Sequence, residues 1–518
     1  MVGQDRNHRR PLGAPTGALA GSRPVGLLIA AIASIALGVQ LFALLHPGYL
    51  RGVTEYDDAV YIGAATRMVH GALPYRDFAL VTPPGVPLLM IPVALIGRIT
   101  GVRDALQIAR LVTVLVTAAN VVLLGTLLRH RKLATIAVAC GSLAAYPSTV
   151  VTGHTLMLEP YLVLFCLVGA LAVFEGDQIA GSRGLMIGGL AFGFAATIKI
   201  WAILPLIAVI LVCLPLLRRR LVPLVVGSVA GLVLPCVPFL IAAPSAFVRD
   251  VVLVQLERTE PHRVPMTVRL GWLTGISGTT LHFTSDEIYG IAILIVIGIA
   301  VVFVSAGPAL TPLELFATSS VAMVTASLLW PGAFYYHYAA FLGPFLALLL
   351  GLTAARMASA ARRLTPAVAV AALAAVAIAN WDGATLAARE THAPADDPAA
   401  TIDAVVPVGA CVLTDTTALL VNANRFDLPS RSCPDVVDAL AVTFILNHGR
   451  RPGATLADTS PTVRTWLAYL SHADFLILSD SPAIRLPWTP TVVAYLTSHF
   501  VRLHVAGLQI FQAKERQV

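Results

Sequence analysis

Of the 518 residues, 57% are hydrophobic and only 12% carry charge, against about 45–50% and about 25% in an ordinary soluble domain. A water-soluble fold is excluded. The formal charge is +7, but the basic residues do not gather on one face. They form short clusters between apolar runs: Arg6, Arg9, Arg10 and Arg23; Arg129, Arg131 and Lys132; Arg218, Arg219 and Arg220; Arg356, Arg362 and Arg363. That is the pattern of loops facing the cytoplasm, and it argues against a nucleic-acid partner.

Residues 1–24 read as a cytoplasmic tail, and 25–381 as a membrane domain in which apolar runs near the ~20 residues needed to cross a bilayer recur. With the basic clusters inside, the crossings run outward and inward in turn over 25–46, 107–128, 133–147, 156–174, 185–199, 201–217, 221–243, 287–306, 313–331, 338–355 and 366–381. The expected fold is an all-α polytopic bundle of about eleven spans. The first run is too long for the apolar core of a signal peptide and is expected to stay as an anchor. Residues 84–97 are apolar but too short to span, so they are expected to lie in the interface or re-enter. Two outer loops are large, 47–103 and 244–286, and the aromatic stretch Trp330–Tyr338 reads as an interfacial belt.

From 382 to 518 the composition turns ordinary and predicts a small extracytoplasmic α/β domain. Strands are expected at 410–414 and 475–478, helices at 436–447 and 462–471, and a terminal hairpin or strand at 501–512. Cys140, Cys166, Cys213 and Cys236 fall in apolar runs as small core residues. Cys411 and Cys433 form an even pair on the oxidising side and are expected to be disulfide-bonded.

Directly after the first run comes Thr54-Glu55-Tyr56-Asp57-Asp58-Ala59-Val60-Tyr61, with three carboxylates at the membrane surface. Lost solvation and like-charge neighbours raise a carboxylate's pKa toward what a general base needs. A solvated acidic loop, or an N-cap for a helix over 59–69, would use the same residues differently. The chain continues with Gly71-Ala-Leu-Pro74-Tyr75-Arg76-Asp77-Phe78 and then Pro83-Pro84-Gly85. In order, spacing and topology this loop resembles the GT-C superfamily of polytopic glycosyltransferases. Within it, the similarity is to the branch of protein O-mannosyltransferases and the aminoarabinose transferase that modifies lipid A. That branch opens its first outer loop on an acidic pair, runs through helices lying on the membrane and reaches a Lys-Pro-Pro element. Here Asp58 stands where Glu is commoner, and Thr82 where a phosphate-contacting Lys is usual. Glu159-Pro160, the stretch Gly188–Trp201 and the segment from Tyr335-Tyr336-His337-Tyr338 to Pro344 extend the likeness over most of the membrane half.

The resemblance implies transfer of a sugar from a polyprenyl-phosphate-linked donor to a hydroxyl acceptor on a glycan, lipid or protein, with Asp57 as base and Asp58 as second candidate. Chemistry points the same way: an outer-face transferase needs a lipid carrier, and a phosphate leaving group is already a stable anion, so one base suffices. Arg258, His262 and Arg263 in the second large loop, and Lys199 at the outer end of its span, are the candidate phosphate contacts. Glu55, Tyr61, Arg76, His154, Glu159 and His337 are candidate substrate-binding residues. Each has a plainer use, as a mixed-charge loop, a snorkelling lysine, a hydrogen-bonded histidine or an interfacial anchor. No cofactor is required, although Glu55, Asp57 and Glu159 leave room for a divalent cation. The competing classes are a transporter or flippase of lipid-linked sugars, expected to place charges near the bilayer midplane, and a glycan ligase or polymerase.

Overall fold

The structure, a computed structural model, describes residues 22–514 apart from 215–216, 259–262, 278–282, 306–308, 361–381, 383–397, 427–431, 451–456, 458–459, 480–484 and 506–507. The membrane half is helical: α1 Ser22–Leu44, α2 Tyr56–Val69, α3 Gly85–Thr100, α4 Val102–Leu127, α5 Leu133–Ala145, α6 Pro147–Gly153, α7 Leu158–Val173, α8 Ser182–Ala196, α9 Ile203–Cys213 and α10 Leu217–Ala242. After these come α11 Pro244–Val248, a π-helical turn Arg249–Leu253, α12 Val254–Glu257, α13 Met266–Thr274, α14 Ser285–Ser305, α15 Pro312–Leu329 and α16 Gly343–Ala360.

Among the described residues four helices are long and apolar enough to cross a membrane, at 23–44, 102–127, 221–242 and 312–329. A fifth counts if α5 and α6, bent by 57° at Pro147, make one broken span. Several expected crossings are therefore shorter helices than the apolar runs suggest, such as Leu158–Val173 and Ile200–Cys213. The run 201–217 opens as a 3-10 turn at Ile200–Ala202, and 338–355 begins inside the 3-10 turn Tyr336–Phe341. The expected last crossing, 366–381, lies outside the described residues. Residues 84–97 form α3, a 16-residue helix carrying Pro92.

Close packing of α8 on α10 shows how this bundle is held. A Cβ on Gly189 or Gly193 would lie 2.2 or 2.1 Å from the carbonyl oxygens of Leu224 and Ser228; on Gly227 or Gly231 it would lie 2.3 or 2.2 Å from those of Met186 and Leu190. Two reciprocal Gly-x-x-x-Gly ribs thus bring backbone to backbone, the contact that drives association where lipid removes the hydrophobic incentive. A short hairpin, β1 Phe174–Glu175 with β2 Gln178–Ile179, follows α7, and its Asp177 pairs with Arg131 of the neighbouring loop. Where α15 begins, Thr311 and Glu314 form a capping box, and Arg356 of α16 binds Glu314 through both oxygens at 2.8 and 2.7 Å.

The C-terminal residues build α17 Ala399–Val405, β3 Val412–Thr414, α18 Thr417–Asn422, α19 Ala439–Leu446, α20 Pro461–Leu470, β4 Phe475–Leu478, α21 Pro490–His499, β5 Phe500–Val505 and β6 Leu508–Ala513. The four strands form one mixed sheet in the order β3-β4-β6-β5, with β3 parallel to β4 and the other pairs antiparallel. β4 is apolar throughout because both faces of the sheet are covered. Leu413, Leu476 and Leu478 pack on Trp466, Leu470 and Leu496, while Val412, Phe475, Ile477 and Ile510 join the large core that also holds Ala59, Ile62 and Leu106. A disulfide links Cys411 to Cys433.

Candidate active site

The first outer loop is organised by a residue that sequence reasoning passed over. Arg110 of α4 is fully buried, and its guanidinium donates to the carbonyls of Tyr49, Leu50 and Gly52 at 2.9, 2.8 and 3.0 Å, and to Thr54 Oγ1 at 3.1 Å. Its Nε also donates to Asp58 Oδ2 at 3.0 Å, and Nη2 reaches the same oxygen. Thr155 donates to that oxygen at 3.1 Å as well. An arginine buried inside an apolar helix is a functional signal by default, and here the function is to fold the turn between α1 and α2. Asp58 is thereby spoken for. It was the second candidate for the base, yet its carboxylate anchors the loop and is closed to solvent.

The expected helix over 59–69 begins earlier, at Tyr56, so Asp57 sits in its first turn and is not its N-cap; Glu55 takes that position without a side-chain cap bond. Asp57 lies about 100° around the helix from Asp58. Among the described residues its carboxylate makes no hydrogen bond. Burial raises its pKa above the ordinary value; His337, Arg258 and Lys199 oppose that shift and Glu159 adds to it. Tyr61, one turn on, faces the same way, with its strongest electrostatic couplings to Asp57 and Glu159. Glu55 accepts from the Tyr336 hydroxyl. Desolvation pushes its pKa up to about 7 against the pull of that bond and of His337.

Opposite these acids lies a framed set of cations. Lys199 occupies an extended break between α8 and the 3-10 turn, its φ of −152° ending the helix. Its ammonium sits 4.0 Å above the Trp201 ring and 3.8 Å above that of Tyr338, and donates to Glu159 Oε1 at 2.9 Å. His337 Nδ1 lies 3.1 Å from the same oxygen. The break is braced by the Pro83-Pro84-Gly85 element: Gly85 N–H donates to the Thr197 carbonyl at 2.8 Å. A Cβ on Gly85 would stand 2.6 Å from that oxygen, so only glycine fits. Arg258 donates to the Tyr335 hydroxyl at 2.8 Å, its guanidinium lying 5.3 Å from the Tyr335 ring and 4.6 Å from that of Phe444.

The stretch expected to be an interfacial belt therefore divides. Trp330 is 85% exposed, whereas Tyr335, Tyr336, His337 and Tyr338 turn inward and wall the charged chamber.

Other expected site residues lie elsewhere. His154 is buried and bonded to Tyr49, Val150 and Gln40, so it braces the loop instead of facing the chamber. Arg76 is exposed and paired with adjacent Asp77 at 2.7 Å. Arg263 is exposed and donates to the Leu329 and Trp330 carbonyls at 3.0 and 3.3 Å, at the end of α15. His262 falls outside the described residues.

The chamber also has a wall that the sequence reading left to the C-terminal part. Tyr56 donates to Asp438 Oδ1 at 2.7 Å, with the Arg485 guanidinium 4.5 Å from its ring. Burial pushes Asp438 up to about 6, although Tyr56 and the Ala441 N–H stabilise its anion. Among the described residues no group of three His, Cys, Asp or Glu side chains is placed to hold a metal ion.

No protein-family model matches this sequence, and neither does any curated protein. Solved structures do. The chain superposes on ArnT from Cupriavidus metallidurans bound to undecaprenyl phosphate with a TM-score of 0.60 at 14% identity, covering 96% of this chain and 99% of that one. For the same protein in the apo state the values are 0.61, 13%, 95% and 98%. The likeness is one of fold over almost the whole length: this chain has the fold of ArnT.

Proposed function

We propose that this protein transfers a sugar from a polyprenyl-phosphate-linked donor to a hydroxyl acceptor of the cell envelope, with inversion, on the outer face of the cytoplasmic membrane. The observation that carries the reading is the disposition of Asp57. It is a half-buried carboxylate whose pKa desolvation raises, it has no hydrogen bond among the described residues, and the charges of Lys199, Arg258 and His337 act on it. A base and the cations for a leaving phosphate thus share one chamber, on a fold whose solved example holds undecaprenyl phosphate.

In this mechanism the acceptor hydroxyl attacks the anomeric carbon from the face opposite the phosphate, and Asp57 takes the hydroxyl proton as the new C–O bond forms. The bond from the anomeric carbon to phosphate oxygen breaks with its electron pair on the phosphate. Lys199 and Arg258 stabilise the charge that appears there, where exclusion of water makes each worth more than in solution. Glu159 fixes Lys199 by its 2.9 Å bond, and the rings of Trp201, Tyr335 and Tyr338 form the apolar walls. Eleven crossings, an inside amino terminus and an extracytoplasmic domain over 382–518 complete the proposed topology.

The test is transfer of labelled sugar from a panel of synthetic polyprenyl-phosphate sugars by the purified protein, wild type against Asp57→Asn. Turnover by the wild type and its loss in a well-folded Asp57→Asn variant is expected. Undiminished turnover in that variant removes Asp57 as base. Uptake into sealed proteoliposomes with no covalent product would favour the transporter. Labelling of single cysteines at 58 and 258 only from the cytoplasmic side would overturn the proposed orientation.

A further inference from the structure

Asp57 has no side-chain tether of its own among the described residues, so its place is set by its neighbours in the chain. The first turn of α2 also lacks a capping side chain, and such turns fray readily. Two holds replace the cap. One is Asp58, bound to Arg110. The other is Tyr56, whose hydroxyl donates to Asp438 Oδ1 at 2.7 Å and accepts the Leu440 N–H at 2.9 Å.

Asp438 is itself the N-cap of α19, its Oδ1 accepting the Ala441 N–H at 2.8 Å. The same helix carries Phe444, whose ring backs Arg258 at 4.6 Å. One short helix thus touches the residue beside the base and the cation that acts on it. Plain docking onto α2 is already served by Arg67, which donates to Asp435 and to the Phe426 carbonyl, both at 2.6 Å.

We propose that Asp438 is a positioning residue of the reaction: through Tyr56 it fixes the bearing of Asp57, and through α19 it fixes the spacing between Asp57 and Arg258. The inference rests on the reading of Asp57 as base and extends it to the C-terminal part of the chain. A carboxylate displaced by about 1 Å costs on the order of 100-fold in rate while leaving donor affinity intact. That separates positioning from mere support.

The experiment uses the full chain in nanodiscs. It follows kcat and KM with the synthetic donor panel, undecaprenyl phosphate affinity and melting temperature for Tyr56→Phe, Asp438→Ala, their combination and Asp438→Asn. Tyr56→Phe and Asp438→Ala should each lower kcat by about 10- to 100-fold, with KM and undecaprenyl phosphate affinity within about threefold of wild type. The double variant should be no worse than the worse single one. Asp438→Asn keeps an oxygen for both Tyr56 and Ala441 and should stay within about threefold of wild-type kcat. Wild-type kcat in Tyr56→Phe, or losses that track only a lowered melting temperature, overturns the proposal. An inactive Asp57→Asn beside an unimpaired Tyr56→Phe sinks this inference alone, whereas a fully active Asp57→Asn sinks the base assignment and this with it.

Discussion

Two ionic clusters meet in the first turn of α2, and they differ in how the charge at their centre is held. In the knot around Arg110, the guanidinium is saturated by three carbonyls, a hydroxyl and Asp58, and it is closed to water. In the chamber one residue away, Asp57 has no hydrogen bond among the described residues; Glu159, like Asp58, gathers its hydrogen bonds on one oxygen and leaves the other without a partner. Saturated buried charge holds a chain in one shape. Unsaturated buried charge costs stability, and such groups gather where chemistry is done. Adjacent aspartates in the sequence thus stand in different surroundings, one tied into the turn and one without a hydrogen bond among the described residues.

The sharpest way to break that distinction is to neutralise each in turn. Asp57→Asn should lower turnover by about 10²–10⁴-fold, the usual weight of a general base, while leaving the melting temperature at or above the wild-type value because a partly desolvated charge has gone. Labelled-sugar transfer and thermal unfolding in detergent measure both. Arg110→Met should do the reverse. It leaves Asp58 buried without its partner and should cost about 3–5 kcal/mol of stability. Arg110→Lys should rescue little, since one ammonium cannot fan out to donors' partners on both sides of the turn. A stable, active Arg110→Met protein would erase the contrast between knot and chamber.

How much of this was readable beforehand follows from the kind of signal each residue leaves. Asp57, Lys199, Glu159, His337 and Arg258 were legible because charge beside apolar runs is rare and has to be accounted for. Their convergence was not, since Glu159, Lys199 and His337 sit on three elements whose meeting depends on packing. Arg110 leaves the same signal as Lys199, a cation beside an apolar run, but the backbone carbonyls that accept from it leave none. Asp438 left none: an Asp before a helix reads as a cap, which it is, and its second bond spans 382 residues. Arg76 and Arg263 lie exposed and apart from these residues, for basic loop residues cost little to place in water. Helix lengths were overread for a similar reason, because apolar composition continues through breaks such as Pro147 and Lys199 where the backbone turns.

A milder effect is the chamber's response to pH. Glu55, on the chamber side, is held up to about 7 by desolvation. A carboxyl whose folded pKa is raised binds its proton in the native state after the unfolded chain has released it. Stability therefore falls as pH climbs from about 4.5 toward 7, and is level beyond. Melting temperatures of wild type and Glu55→Gln across that window should converge at its acid end and separate at its neutral end, the glutamine variant being the more stable. Parallel curves would mean that Glu55 is solvated and outside the chamber.

The smallest expected effect tests the border of the chamber. Arg263 was as good a phosphate contact as Arg258 by composition, yet the two differ in what surrounds them. Arg258 lies between aromatic rings within reach of the field of Asp57. Arg263 is exposed and bonded to backbone at the end of α15, where a cation is favoured by the helix dipole. Arg263→Ala should change stability by no more than about 0.5 kcal/mol and leave KM for the donor panel within about twofold. If Arg263→Ala instead raises KM by more than about tenfold, the phosphate lies farther out than the chamber, and Lys199 would be too deep to meet it.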